Sequence, residues 1–447
     1  MPARFSRRRF LQNSALATSA YWLTRSEAFA QEITGPVSTA PKNNSTDKLN
    51  IGVIGVANRG GANLDGVSSQ NIVALCDIDD NYLAAANKRF PQAKIYNDFR
   101  SLLDQKNIDA VVVSTPDHLH APITLTALQM GKHVYCEKPL THTVAEARRV
   151  AETARQHKRV TQMGIQIHST SNYRRVVELI RSGAIGAVRE SHVWSDRAWV
   201  GTENLTGTPP VPPNLHWDLW LGPAPYRPYN PAYLPANWRG WWEFGGGTLG
   251  DMACHHMDLS FWALGLQHPL TVEAEGPPVS PEITPAWLIV HYTFPARGAQ
   301  PPVKLTWYQG GKRPALFDQG KLPKWGDGTL FIGDKGMLLA DYDRRVLLPE
   351  ADFKDFKAPA PTIPESIGHY NEWFEAIRNN GQTTCNFAYG GMLTETALLG
   401  NVAYRVGQKL EWDAQQLRAT NCPAADHLLI PQYRKEWQAT HPLTGSY

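Results

Sequence analysis

The sequence predicts an α/β fold that opens with a doubly wound parallel sheet. Three observations predict it: a strand, glycine turn and helix start over residues 49–64; a second apolar run ending in an acid about 20 residues beyond the first glycine; and short apolar runs that alternate with helical spacing as far as Met163. In the first unit, the run Ile51 to Val56 enters Gly55 and leaves through Arg59-Gly60-Gly61 into Ala62-Asn63-Leu64. Gly55, Ala57 and Gly60 occupy the three positions of a dinucleotide-binding turn, with Asn58 and Arg59 between the last two. The turn needs small residues because the backbone must let a pyrophosphate reach the N–H groups of the following helix. An alanine at the middle position narrows that approach without closing it.

The second run, Ile72 to Cys76, ends in Asp77, where such a fold places the acid that binds the adenosine ribose. A glycine turn in an ordinary α/β protein with an exposed aspartate is the plainer account of either feature alone. The order of strand, turn, helix, strand and acid favours the nucleotide site. Asp79 and Asp80 make the surroundings acidic and no arginine directly follows Asp77, so a 2'-phosphate would be repelled and NAD is expected rather than NADP.

Further along, Asp80 to Phe90 has helical spacing, Ala110 to Ser114 reads as a buried strand and Ala121 to Met130 as a helix. His133 to Cys136 is the next strand, Val144 to His157 a helix and Val160 to Met163 a strand. Cofactor contacts belong at the carboxyl ends of such strands, where Gly55, Asp77, Ser114-Thr115-Pro116 and Glu137-Lys138-Pro139 fall.

The chain begins with a different kind of segment. Arg7 and Arg8 precede Phe10-Leu11, a short apolar stretch runs from Ser14 to Leu23, and Ala28-Phe29-Ala30 offers a cleavage site. That order describes a twin-arginine export signal over residues 1–30, with an apolar part too short to span a bilayer and a periplasmic destination. Residues 31–48, rich in Pro, Ser, Thr and Asn, read as a flexible spacer. The leader holds five arginines and one glutamate, leaving 39 basic and 40 acidic residues beyond it. The basicity therefore belongs to the leader, and nothing after it argues for a nucleic acid or an anionic membrane as partner. About 400 residues remain, which implies two domains. The five cysteines have no C-x-x-C pairing and read as buried free thiols. No stable membrane span and no internal repeat is evident.

The runs STPDHLHAP (Ser114 to Pro122, including His120) and GKHVYCEKPL (Gly131 to Leu140), with the glycine turn, resemble the Gfo/Idh/MocA family, which includes glucose-fructose oxidoreductase and inositol dehydrogenase. The later pieces GTLGDMACHHMDLSFWAL and LLGNVAYRVGQKLEWD resemble it too. The resemblance implies an NAD-binding Rossmann domain over residues 49–165. It also implies a second, α+β domain over residues 166–447, built on an open, mostly antiparallel sheet whose outer face makes a homo-oligomer, a dimer or tetramer.

Lys138 follows a strand and precedes a proline, which biases its backbone to an extended conformation at the strand tip; a solvated surface lysine is the commoner fate of such a residue. Asp251 and His255 stand four apart after a glycine-rich turn, on one face of a helix, and such a pair can orient an imidazole as a general base. By the resemblance, Lys138, Asp251 and His255 act together on a substrate hydroxyl, and His256 replaces an acid often found there. A helix cap followed by partly buried histidines is the plainer account. A metal site from Asp251, His255 and His256 has no evident third anchor beyond this spacing, and no metal is expected. The Pro- and Trp-rich segment from Ser195 to Phe244 reads mostly as packing for an irregular loop. Trp238, Trp241 and Trp242, near the Asp251 helix, are the candidates for stacking on a sugar ring.

Beyond that, Leu270 to Glu275, Leu288 to Phe294, Val303 to Trp307 and Thr329 to Ala340 read as strands, and His369 to Asn379 and Gly391 to Arg405 as helices. Together these point to an NAD-dependent oxidoreductase acting on a sugar or cyclitol hydroxyl. His255, oriented by Asp251, would take the proton while Lys138 hydrogen-bonds the developing alkoxide. Export adds a constraint, since a periplasm supplies no NAD pool, so the cofactor must be retained and recycled in place. Two alternatives stand beside this reading. One is an NAD-dependent glycosidase working by transient oxidation, elimination, water addition and reduction; the other is a non-catalytic periplasmic sugar-binding protein.

Overall fold

The computed structural model describes residues 48–438. The segment expected to be an export leader, residues 1–30, and nearly all of the expected spacer, residues 31–48, lie outside the described residues.

The first sheet begins with β1 (Asn50–Ile54), α1 (Arg59–Val67), β2 (Asn71–Cys76), α2 (Asp80–Arg89), β3 (Lys94–Tyr96) and α3 (Phe99–Leu103). It continues with β4 (Ala110–Val113), α4 (Asp117–Gln129), β5 (His133–Glu137), α5 (Val144–Gln156) and β6 (Thr161–Gly164). All its strand pairs are parallel and their order is β3-β2-β1-β4-β5-β6. Helices cover both faces, which is why β4 reads as an unbroken buried apolar run. The chain reverses its winding between β1 and β4, and the crevice outside their carboxyl ends is where this architecture takes a ligand.

The second sheet follows α6 (Ser171–Arg181) and begins with β7 (Val188–Ser195). A short helix, α7 (Trp217–Leu221), and the long α8 (Gly247–Leu264) precede β8 (Thr271–Glu275), β9 (Leu288–Phe294) and β10 (Val303–Gln309). The strands β11 (Gly328–Gly333), β12 (Gly336–Ala340) and β13 (Arg345–Leu348) come next. Two helices, α9 (His369–Arg378) and α10 (Phe387–Val406), lead to β14 (Leu410–Asp413) and β15 (Arg418–Ala419). The nine strands run in the order β13-β12-β11-β7-β10-β9-β8-β14-β15, antiparallel except where β10 meets β7. The fold class is thus the one expected, a parallel Rossmann sheet joined to an open, mostly antiparallel one.

The helix α8 is buried on nearly every side, packed on the second sheet and against α6 and α10, so whatever it carries is held rigidly. Its entry requires glycine: Gly247 has φ of 63°, and a Cβ there would lie 2.8 Å from the Thr284 Cβ. The carboxyl part of the chain also returns to the first sheet, where Trp373 and Phe374 of α9 pack with Ile51, Val53 and Tyr135. One buried ion pair ties α5 to α10, with Arg148 on both oxygens of Glu395 at 3.0 and 2.9 Å. All five cysteines are free and buried. Among the described residues no helix is long and apolar enough to cross a membrane.

Removing Glu395 leaves a partly buried guanidinium uncompensated. Glu395→Ala is expected to cost about 3 kcal/mol of stability, read as a lower urea midpoint; an unchanged midpoint would mean that this pair does not join the two halves.

Candidate active site

A cavity of about 740 Å³ runs from the carboxyl ends of β1, β2 and β4 to the buried face of α8. At one end, the glycine turn is shaped by close approach. Gly55 has φ of 82°, and a Cβ on it would lie 2.6 Å from the Ser114 carbonyl oxygen; a Cβ on Gly60 would lie 2.1 Å from the Gly55 carbonyl oxygen. Gly60 therefore packs α1 against the turn, while Gly55, Ala57, Asn58 and Arg59 line the cavity. No side chain caps α1, so its first N–H groups are open to an anion.

Asp77 accepts the Val56 N–H at 2.9 Å and the Asp79 N–H at 3.0 Å, one on each carboxylate oxygen. Each oxygen keeps a second lone-pair position for a hydroxyl. Burial pushes its carboxyl up to about 6 despite those two bonds. Ser114, Thr115 and Pro116 line the same wall, and the Thr115 hydroxyl is buried with no partner. The uncapped helix, the tight turn, the ribose acid and this orphaned hydroxyl fit a dinucleotide.

Two of the expected contacts, His120 and Glu137, line the cavity and also brace its walls. His120 reaches the cavity, but its ring nitrogens lie 2.7 Å from the Pro139 carbonyl and 2.8 Å from the Thr115 carbonyl, so it braces the loops after β4 and β5. Glu137 is buried under Arg59 Nε (3.0 Å), Asn63 Nδ2 (2.9 Å) and Gln166 Nε2 (2.8 Å), and it holds the arginine of the turn in place.

At the other end, Lys138 Nζ lies 2.6 Å from Asp251 Oδ1 and 2.8 Å from the Asp251 carbonyl oxygen. The same Oδ1 accepts Arg239 Nε at 2.9 Å, and Oδ2 accepts the Trp199 indole N–H at 2.7 Å. Burial works against charge at Asp251, yet Lys138 and Arg239 hold its carboxyl well below the ordinary carboxylate range. His255 lines the cavity one turn later on α8, and its Nδ1 is buried without a partner. The expected orientation of His255 by Asp251 is therefore not what the structure shows. The two share a helical face, but the carboxylate takes its hydrogen bonds from Lys138, Arg239 and Trp199 and none from His255. Burial, then the Lys138 charge, push the imidazole well below its usual value, which leaves it neutral.

The tryptophan expectations divide. Trp238 lines the cavity, with the Arg239 guanidinium 4.2 Å over its ring. Trp241 and Trp242 do not reach it: Trp241 packs edge-on to Tyr233, and the Trp242 indole N–H is spent on the Ser280 carbonyl at 3.1 Å. His256 also turns away, stacked on Tyr342 at 4.8 Å, so Asp251, His255 and His256 do not converge as metal ligands. Among the described residues no group of three or more His, Cys, Asp or Glu could hold a metal ion.

Several lining residues carried no sequence signal of their own: Arg197, Trp199, Arg239, Asp327 and Tyr342. Asp117, inside the run that carried the resemblance, is buried beside the Lys138 cluster, and that burial lifts its carboxyl to about 7.

The Pro- and Trp-rich segment closes the nucleotide end. Asp80 N–H donates to the Asn214 carbonyl and His216 N–H to the Ile78 carbonyl, both at 2.9 Å. The Asn214 amide reaches Asp79 at 2.9 Å and the His216 ring reaches Asp80 at 3.1 Å. This strap crosses the loop just after Asp77. It is pinned from behind by Arg434, which bonds Gly222 and Asp218, each at 2.6 Å.

Residues 49–165 match the family model described as "Oxidoreductase family, NAD-binding Rossmann fold", and residues 178–301 match its companion, "Oxidoreductase family, C-terminal alpha/beta domain". The chain belongs to the Gfo/Idh/MocA oxidoreductase family. Its first domain is an NAD-binding Rossmann domain. An inositol 2-dehydrogenase of Salmonella paratyphi B is 33% identical over 144 residues, which are 31% of this chain and 43% of that protein. A glycosyl hydrolase family 109 protein of Shewanella pealeana is 29% identical over 208 residues, 41% of this chain and 44% of that protein. The chain thus spans less than half the length of either relative. The WlbA dehydrogenase of Bordetella pertussis, solved with NADH and UDP-GlcNAcA, superposes with a TM-score of 0.59 at 18% identity, covering 82% of this chain and 99% of that one, and so shares the fold.

Protonating Asp77 would remove acceptor capacity at the ribose. NAD affinity of protein stripped of nucleotide is therefore expected to fall as pH drops from 7 through about 6 toward 5, and to level off above 7. Calorimetric titration should also show a proton released on binding near pH 6; an affinity flat in pH would detach Asp77 from the ribose.

Proposed function

We propose that this protein is an NAD-dependent oxidoreductase acting on a hydroxyl of a sugar or cyclitol, with a cofactor that stays bound and is recycled in place. The observation that carries this is the single cavity that joins an uncapped helix start and Asp77 to Lys138 and His255. When bound there, the nicotinamide supplies hydride uptake and return. Lys138, fixed by Asp251, donates a hydrogen bond to the reacting oxygen, where charge develops. His255, neutral and on the same wall, receives the hydroxyl proton. Trp199, half-buried on the same wall, offers its ring to the apolar side of a sugar, while Trp238 is buried under Arg239 and shapes the wall behind it.

Retention is supported by the strap, whose four hydrogen bonds cross the exit beside the ribose acid. The same observation favours a second reading, a glycosidase with no net redox change, and so does the similarity to a glycosyl hydrolase family 109 protein. In that reading a transient ketone acidifies the neighbouring C–H, the aglycone leaves, water adds and the hydroxyl is restored. Export to the periplasm, proposed from the twin-arginine leader, requires such recycling. Assembly into a homo-oligomer through the open face of the second sheet belongs to the same proposal.

Purified protein is expected to release NAD(H) when denatured. Aglycone release from aryl glycosides with no net change in bound nicotinamide would select the glycosidase; stoichiometric reduction by a free sugar, discharged by a second carbonyl compound, would select the two-substrate oxidoreductase. Absence of both nucleotide and turnover would leave a sugar-binding protein.

Lys138→Ala is expected to lower kcat by about 100- to 1,000-fold, and unchanged turnover would remove Lys138 from the chemistry. The double substitution Asn214→Ala with His216→Ala is expected to speed cofactor loss about 10-fold, followed as nicotinamide released during dialysis; an unaltered rate would mean that the strap does not retain it.

A further inference from the structure

The substrate end of the cavity carries one cation that nothing in the protein consumes. Arg197 lines the cavity with Tyr342, His255 and Asp327. Among the described residues its guanidinium has no hydrogen bond and no ion pair. Of the two acids nearby, only Asp196 has a cationic partner of its own. Asp196 pairs with Arg313, and Asp327 accepts the Asp196 N–H at 2.8 Å and faces His256 at 3.9 Å. The other two cations of this wall, Lys138 and Arg239, share the single carboxylate of Asp251.

Arg197 is exposed and stands in the irregular stretch just past β7, but its backbone is tied down. Its N–H contacts the Ser195 hydroxyl at the end of β7. Two residues later the backbone is held on both sides, with Trp199 N–H on the Thr248 hydroxyl and the Thr284 hydroxyl on the Trp199 carbonyl, each at 2.7 Å. The position is therefore set by β7 and α8. The uncapped start of α1, where the nucleotide's phosphates belong, has its own arginine, Arg59, held there by Glu137.

An arginine at a cavity wall, with its five donors unspent, recognises planar oxyanions in a bidentate fork. We propose that the substrate of this site is an acidic sugar, a uronic acid or uronide whose carboxylate is clamped by Arg197 while Asp327 accepts a ring hydroxyl. This rests on the sugar-hydroxyl reading given above and narrows it. A carboxylate at one end of the ring also fixes which hydroxyl faces Lys138 and His255.

The test compares hexuronate with hexose, and the aryl uronide with the aryl hexoside, on the full protein carrying its bound nucleotide, by calorimetric binding and by turnover. The acid is expected to be favoured about 10- to 100-fold in affinity and in kcat/KM. Arg197→Gln is expected to bring that ratio near one, and Arg197→Lys to restore part of it. Equal binding of acid and neutral sugar, or a ratio that Arg197→Gln leaves intact, would overturn this inference while leaving the oxidoreductase standing. Failure of both sugars to bind or react would overturn the two together.

Discussion

The buried ion pair between Lys138 and Asp251 is the constraint on which the site depends. Taking a carboxylate and an ammonium out of water costs several kcal/mol per ion unless each finds partners of good geometry. Asp251 finds three, and they come from separate parts of the chain: Lys138 at the tip of β5, Trp199 just past β7, and Arg239 in the Pro- and Trp-rich segment. Satisfying one charge therefore clamps the first sheet, the second sheet and the irregular segment around α8. Because α8 is itself encased, the clamp also sets where His255 stands relative to the glycine turn.

The irregular segment then has two tasks with one packing solution. Its own small core stacks Trp217 on Trp220 at 4.6 Å and adds Tyr233, Trp241 and Phe244. That core is what allows a stretch poor in regular structure to bridge two loops. At one end it crosses the exit beside Asp77, and at the other it delivers Arg239 to Asp251. The strap beside Asp77 and the ion-paired wall around Asp251 thus share one aromatic core. The most polar part of the site rests on the most aromatic part of the fold.

The parallel sheet was legible because strands buried on both faces become apolar runs and because close backbone approach demands glycine at Gly55 and Gly60. Spacing also placed Asp251 and His255 on one helical face. It could not decide which neighbour would claim the carboxylate, since Lys138 lies 113 residues away in sequence and an ionised lysine outcompetes a neutral imidazole. Adjacency likewise could not separate Trp238 from Trp241 and Trp242: a 3-10 turn over Asn237–Gly240 sends consecutive rings to different sides. His120 stands in a run that reads as cofactor-binding, but two carbonyls from neighbouring loops claim its nitrogens. For Asp251 and for Trp242 the missing information was a competitor for a polar atom that lies far away in sequence.

That competition gives the site its chemical asymmetry. Hydroxyl oxidation needs a hydrogen-bond donor for the oxygen and a distinct acceptor for its proton, and two groups sharing one proton could not fill both roles. In the mechanism proposed above a single carboxylate separates them. By taking Lys138 into an ion pair it fixes the donor, and its pull on an imidazolium at His255 is outweighed by burial and by the Lys138 charge. The nearby ammonium then presses the imidazole toward its neutral form. Had Asp251 paired with His255 instead, the histidine would have been favoured as a cation and Lys138 left to drift. The arrangement trades the familiar oriented histidine for one kept neutral by burial and by the ammonium beside it, which is the state that the proposed proton transfer requires.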